Sequence, residues 1–105
     1  MMPLPDASTE RLSLTLDPVL DLRAAASLKV ALLQGLERQI PLLIDAGQVT
    51  RMSTACVQLL AACMLDARNS GRGLGLGKSS AVFDAAFADL GLASILDGVK
   101  IQERT

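Results

Sequence analysis

The residues with the widest chemical reach lie in the run Gly71-Arg72-Gly73-Leu74-Gly75-Leu76-Gly77-Lys78-Ser79, which ends like a phosphate-binding loop. That loop needs Gly-x-x-x-x-Gly-Lys-Ser/Thr, so that backbone amides converge on the phosphates and the lysine reaches the terminal ones. Here Arg72 stands where the first glycine is required, and the run follows a helical pattern instead of a strand. The spacing reads better as a helix C-cap, a short strand and a turn. A small nucleotide-binding protein using the Gly73–Ser79 loop remains an alternative on the sequence.

The other reactive side chains point to less. Histidine is absent, which excludes Ser-His-Asp and Cys-His catalysis and any His-bearing metal site within the chain. Cys56 and Cys63 are seven residues apart in a helical pattern, about two turns along one face and too far for a bridge. They read as buried thiols in a reducing compartment. Asp45, Asp66, Asp84, Asp89 and Asp97 are scattered caps and turn residues with no catalytic pairing. No catalytic residue, metal or cofactor is expected. Ser53-Thr54 carries more content, because both hydroxyls stand at a helix start, where an N-cap is favoured. A phosphate would also be well placed there, against free amides and the helix dipole.

The elements that must position these groups follow from the totals and the periodicity. The chain has 105 residues, half of them apolar, enough for one domain with a modest core. Its aromatics are two phenylalanines, so the interior is expected to be aliphatic, with no platform for stacking bases. Ten basic against eleven acidic residues, a formal charge of −1, argue against a nucleic-acid binder. The start, Met1-Met2-Pro3-Leu4-Pro5-Asp6, shows no basic-then-apolar leader, and the apolar stretch around Ala55 to Leu65 is too short for a bilayer. A cytoplasmic location without membrane insertion is the expectation.

Residues 1–10 read as a flexible tail before a single domain over 11–105. Leu12, Leu14 and Leu16 alternate with polar residues as in a half-buried strand, and Val19, Leu20 and Leu22 suggest a second. Leu28, Leu32 and Leu36 place an amphipathic helix over 24–38. Leu42-Leu43-Ile44 fits a strand buried on both faces, followed by a loop over 46–52. A second helix spans about 55–69, with Val57, Leu60, Ala61 and Met64 on one side, and Gly71 ends it. A weak strand over 73–76 leads to a third helix from Ser80 to Leu90. After Leu92, Ile95 and Leu96, Asp97-Gly98 marks a turn before Val99-Lys100-Ile101. The order β-β-α-β-α-β-α is an α/β layered arrangement.

One set of residues in this order resembles a known family. Leu42-Leu43-Ile44-Asp45 through Ser53-Thr54-Ala55 is similar to the central block of STAS domains, in which an apolar strand ends in Asp and a loop leads to a hydroxyl residue opening a helix. The resemblance continues through Leu59-Leu60, Ala67-Arg68-Asn69-Ser70-Gly71, Lys78-Ser79-Ser80-Ala81-Val82-Phe83 and Leu90-Gly91-Leu92, from about Leu12 to Leu96. Ser53 falls where the family usually has Asp, and Cys56 replaces a common glycine. The stretches over 49–52 and 56–60 look closest to small divergent STAS proteins of bacterial chemotaxis clusters.

The resemblance implies a STAS-type fold, with a mixed sheet of about four to five strands and helices layered against it. It also implies a non-catalytic protein-binding module in bacterial signalling, similar to anti-sigma factor antagonists. Thr54 aligns with the phosphorylated hydroxyl, and Ser53 is a second candidate acceptor. Partner-binding residues are expected at Gln48, Thr50, Arg51, Met52, Ser53, Thr54 and Val57. The implied partner is an anti-sigma factor with serine/threonine kinase activity, or a chemotaxis signalling component. A constitutive subunit of a phospholipid-transport or chemotaxis assembly is the alternative within the family. A homodimer is compatible with the composition, which specifies no surface for one.

Overall fold

A computed structural model describes residues 12–38, 41–71 and 73–100. The expected tail over 1–10 and Ile101 lie outside the described residues. The elements run β1 (Leu12–Thr15), β2 (Val19–Leu20), α1 (Ala24–Arg38), β3 (Leu42–Ala46), β4 (Arg51–Met52), α2 (Thr54–Ser70), β5 (Leu74–Ser79), α3 (Ala81–Asp89) and α4 (Ala93–Val99). This is an α/β fold with the STAS-type element order, its five described strands divided between two sheets.

The larger sheet has the order β1-β3-β5, with β3 in the centre and both pairings parallel. Leu12, Leu42 and Leu74 share one row, and Leu14, Ile44 and Leu76 another. Their even-numbered side chains face the helices: Leu42, Ile44, Ala46 and Leu76 are buried, and Leu12, Leu14 and Leu74 pack against the same cluster. Alternation along a strand therefore sends the odd-numbered residues to the opposite face. Leu43 is only half-buried and stands outside the core cluster, so β3 is not the two-face-buried strand that its apolar run suggested. At the carboxyl end a register shift between Ile44 and Ala46 sets Gly77 and Lys78 together opposite Asp45.

The helices form because their caps and apolar stripes agree. The Asp21 carboxylate accepts from the Ala24 amide at 3.0 Å and starts α1, which buries Leu28 and Leu32 one turn apart. In α2, Cys56, Val57, Leu60, Ala61, Cys63, Met64 and Ala67 line the buried face. Gly71 ends α2 in the left-handed conformation, φ 76°, and returns its amide to the Ala67 carbonyl. Both cysteines are buried side chains of the α2 inner face, as their spacing implied. The Ser80 hydroxyl caps α3 by accepting from the Phe83 amide at 3.1 Å, and it donates to the Val49 carbonyl at 2.6 Å.

Three local expectations change. Arg51 and Met52, read as loop, form β4 and pair in parallel with Val19 and Leu20. The ladder exists because the Pro18 carbonyl accepts from the Thr50 and Arg51 amides, at 2.7 and 3.1 Å, across more than thirty residues of sequence. The turn at Asp97-Gly98 is absent, because α4 runs through both residues to Val99. Leu92, Ile95, Leu96 and Val99 recur at helical spacing against the core, and that stripe outweighs one glycine, which costs only about 1 kcal/mol in a helix. The interior is also not purely aliphatic. Phe83 and Phe87, one turn apart on α3, are fully buried with ring centroids 5.0 Å apart, each contributing about 2 kcal/mol by burial.

Candidate functional site

The residues singled out on the sequence converge at the N-terminus of α2 and on the short β2–β4 ladder beside it. Their side chains separate into three kinds. Ser53 is structural: it is extended (φ −81°, ψ 157°), its hydroxyl accepts from the Cys56 amide at 3.2 Å, and its own amide donates to the Leu20 carbonyl at 2.8 Å. Ser53 is thus the N-cap, and Thr54 is the first helical residue. Thr54 is exposed, with no hydrogen bond to its hydroxyl among the described residues.

Gln48 and Thr50 are held by backbone. The Gln48 amide group donates to the Leu16 carbonyl at 2.9 Å, and the Thr50 hydroxyl to the Pro18 carbonyl at 3.1 Å. Both tie the β3–β4 connection to the β1–β2 connection, so the rim is a braced surface and not a free loop. Arg51 is exposed and forms no ion pair among the described residues, while Met52 is half-buried against the core. Val57 does not belong to this surface. It is 1% exposed and packs inward beside Leu60, Ala61 and Met64, so a docking partner cannot reach it.

In and beside the ladder stand two more apolar residues that the sequence reading gave to a second short strand, which ends at Leu20. Val19 pairs with Arg51 and is 44% exposed, and Leu22, just beyond β2, is 72% exposed. Alternation over so short a segment carries no usable signal, and only the pairing with β4 reveals which side faces out. Behind the rim, the Cys56 thiol donates to the Asp21 carbonyl at 3.5 Å, linking the first turn of α2 to the start of α1.

The first turn of α2 itself carries no acidic residue. The amides of Thr54 and Ala55 precede the first that can bond within the helix, and the dipole there favours anions. Elsewhere, the glycine-rich run lies in strand β5 over Leu74–Ser79. Amides of a strand point alternately to its two edges and cannot converge on a phosphate, which removes the phosphate-loop reading of Gly73 to Ser79. Among the described residues, no group of three His, Cys, Asp or Glu side chains is placed to hold a metal ion.

Residues 4–97 match the family described as "Mlab, STAS domain". The match covers most of the chain, with the α/β element order above, and the chain belongs to the STAS domain family. Domains of this family commonly mediate protein–protein interactions and are generally non-catalytic. No curated protein gave a match. No helix among the described residues is long and apolar enough to cross a membrane.

Proposed function

We propose that the chain is a cytoplasmic, non-catalytic docking module of the anti-sigma-factor-antagonist type. It binds a protein partner through Gln48, Thr50, Arg51, Met52, Ser53 and Thr54, with Val19 and Leu22 extending the contact. The partner is an anti-sigma factor with serine/threonine kinase activity or a chemotaxis signalling component. The observation that carries this reading is the division of labour between neighbouring hydroxyls: Ser53 is committed to the cap, and Thr54 is exposed at the first helical position. A phosphate on Thr54 would leave the fold intact, because a helix N-terminus tolerates negative charge. It would act instead by placing close to two charges in a desolvated contact.

A second reading, a constitutive subunit of a phospholipid-transport assembly, is favoured by the Mlab description of the matched family. In that assembly the domain would clamp the transporter's ATPase. The test is a pull-down from native lysate with the unmodified domain and with Thr54→Glu, followed by affinity measurement against the identified partner. A kinase-type anti-sigma or chemotaxis protein, bound about tenfold or more weaker by Thr54→Glu than by Thr54→Ala, supports the switch. Equal affinity of both variants sinks it, and an ATPase retained by both supports the constitutive subunit.

A further inference from the structure

The rim that carries Gln48 to Thr54 bridges two sheets. β3 ends at Ala46 in the three-stranded sheet, whereas β4, which holds Arg51 and Met52, belongs to the ladder with β2. A ladder of two strands is marginal by itself in water. Residues 47–50, which join the two sheets, must therefore be held by other contacts.

One set of ties comes from the β1–β2 connection, through the Gln48 and Thr50 side chains and through the Thr50 and Arg51 amides on the Pro18 carbonyl. A second set comes from the end of β5 and the start of α3, and it converges on Ser80. The Ser80 amide donates to the Ala46 carbonyl at 3.0 Å, and the Ser80 hydroxyl donates to the Val49 carbonyl at 2.6 Å. The same hydroxyl oxygen accepts from the Phe83 amide at 3.1 Å, so one side chain both caps α3 and holds the connection. Gly47 lets the chain come this close. A Cβ there would meet Lys78 Cβ at 3.1 Å and Asp45 Oδ1 at 3.2 Å, tighter than ordinary contact, so the connection is seated directly on β5. The two tasks of Ser80 make different chemical demands. Capping needs only an acceptor, which aspartate supplies as well as serine does. Holding the Val49 carbonyl needs a donor, which an ionised carboxylate lacks.

We propose that Ser80 is a positioning residue for docking: by fixing Val49, it sets the arrangement in which Thr50 and Arg51 meet the partner. This rests on the reading of Gln48 to Thr54 as the docking rim. Val49 is 1% exposed and its side chain meets no partner, yet its carbonyl is the point at which α3 grips the rim. No other hydrogen bond from the start of α3 reaches residues 48–51 among the described residues. Without that grip the amides of the rim open more often.

The test is amide hydrogen exchange of the full chain, for the parent, Ser80→Asp and Ser80→Thr. Asp keeps the acceptor for Phe83 and loses the donor for Val49, whereas Thr keeps both. In Ser80→Asp the Thr50 and Arg51 amides are expected to exchange about tenfold faster, as for one lost hydrogen bond, with Phe83 protected as in the parent. Ser80→Thr is expected to return the rim to the parent rates. Parent rates at Thr50 and Arg51 in Ser80→Asp overturn the proposal and leave the docking reading untouched. Affinity for the partner identified by the pull-down is the second readout, expected to fall about tenfold in Ser80→Asp and to recover in Ser80→Thr. Faster exchange with unchanged affinity overturns the positioning role by a different route, since the partner then docks elsewhere.

Discussion

Replacing Ser53 and Thr54 one at a time by alanine separates a structural hydroxyl from a displayed one. Ser53→Ala removes the acceptor of the Cys56 amide, a 3.2 Å bond in a partly buried setting. Loss of a serine N-cap costs about 1 kcal/mol, within a range of roughly 0.5–2. The value here is expected towards the upper half, because Cys56 is 0% exposed and water cannot easily replace the lost oxygen. Thr54→Ala breaks no bond among the described residues, and alanine is the better helix former by about 0.5 kcal/mol. The two variants should therefore differ by about 1.5–2 kcal/mol, with Thr54→Ala at or slightly above the parent. Urea unfolding measures this as a lower midpoint for Ser53→Ala at unchanged slope. In a thermal scan, each kcal/mol moves the midpoint of a domain this size by about 5 °C. A third variant, Ser53→Asp, restores a capping oxygen and adds a charge favourable to the dipole, so it is expected to match or exceed the parent. Thr54→Ala costing as much as Ser53→Ala would refute the assignment of the cap, and with it the premise that Thr54 is free to switch a contact.

Two further outcomes follow from the packing and the backbone. Leu60→Ala, at a fully buried position on α2, is expected to cost about 2–5 kcal/mol in denaturant unfolding; a loss under about 1 kcal/mol would mean that α2 does not sit on this core. Gly71→Ala is expected to cost about 1 kcal/mol through its φ of 76° alone, because an added Cβ there meets nothing within 4 Å. A neutral result in the same assay would show that α2 ends elsewhere.

Much of this fold was legible because its signals are local. A cap acts over three residues and an amphipathic stripe over two turns, so Gly71, Ser80, the alternation of Leu12 to Leu16 and the inner face of α2 follow from the order of residues alone. The same stripe set Val57 on one side with Leu60, Ala61 and Met64, yet the family resemblance gave it to partner binding; the structure buries it, so it packs and does not dock. Other decisions required the assembled chain. Arg51 and Met52 become a strand only because Pro18 and Leu20 arrive beside them from a distant part of the sequence, and that pairing is what turns Val19 outward. Ser53 and Thr54 are equivalent as hydroxyl residues at a helix start, and the position of the Cys56 amide distinguishes the cap from the exposed neighbour. The apolar run Leu42-Leu43-Ile44 promises burial on both faces, yet which face receives helices depends on where every crossover lands. Sequence specified the elements because their causes lie within a few residues. Tertiary structure decided which side chains remain for a partner, because exposure is set by what packs against a residue.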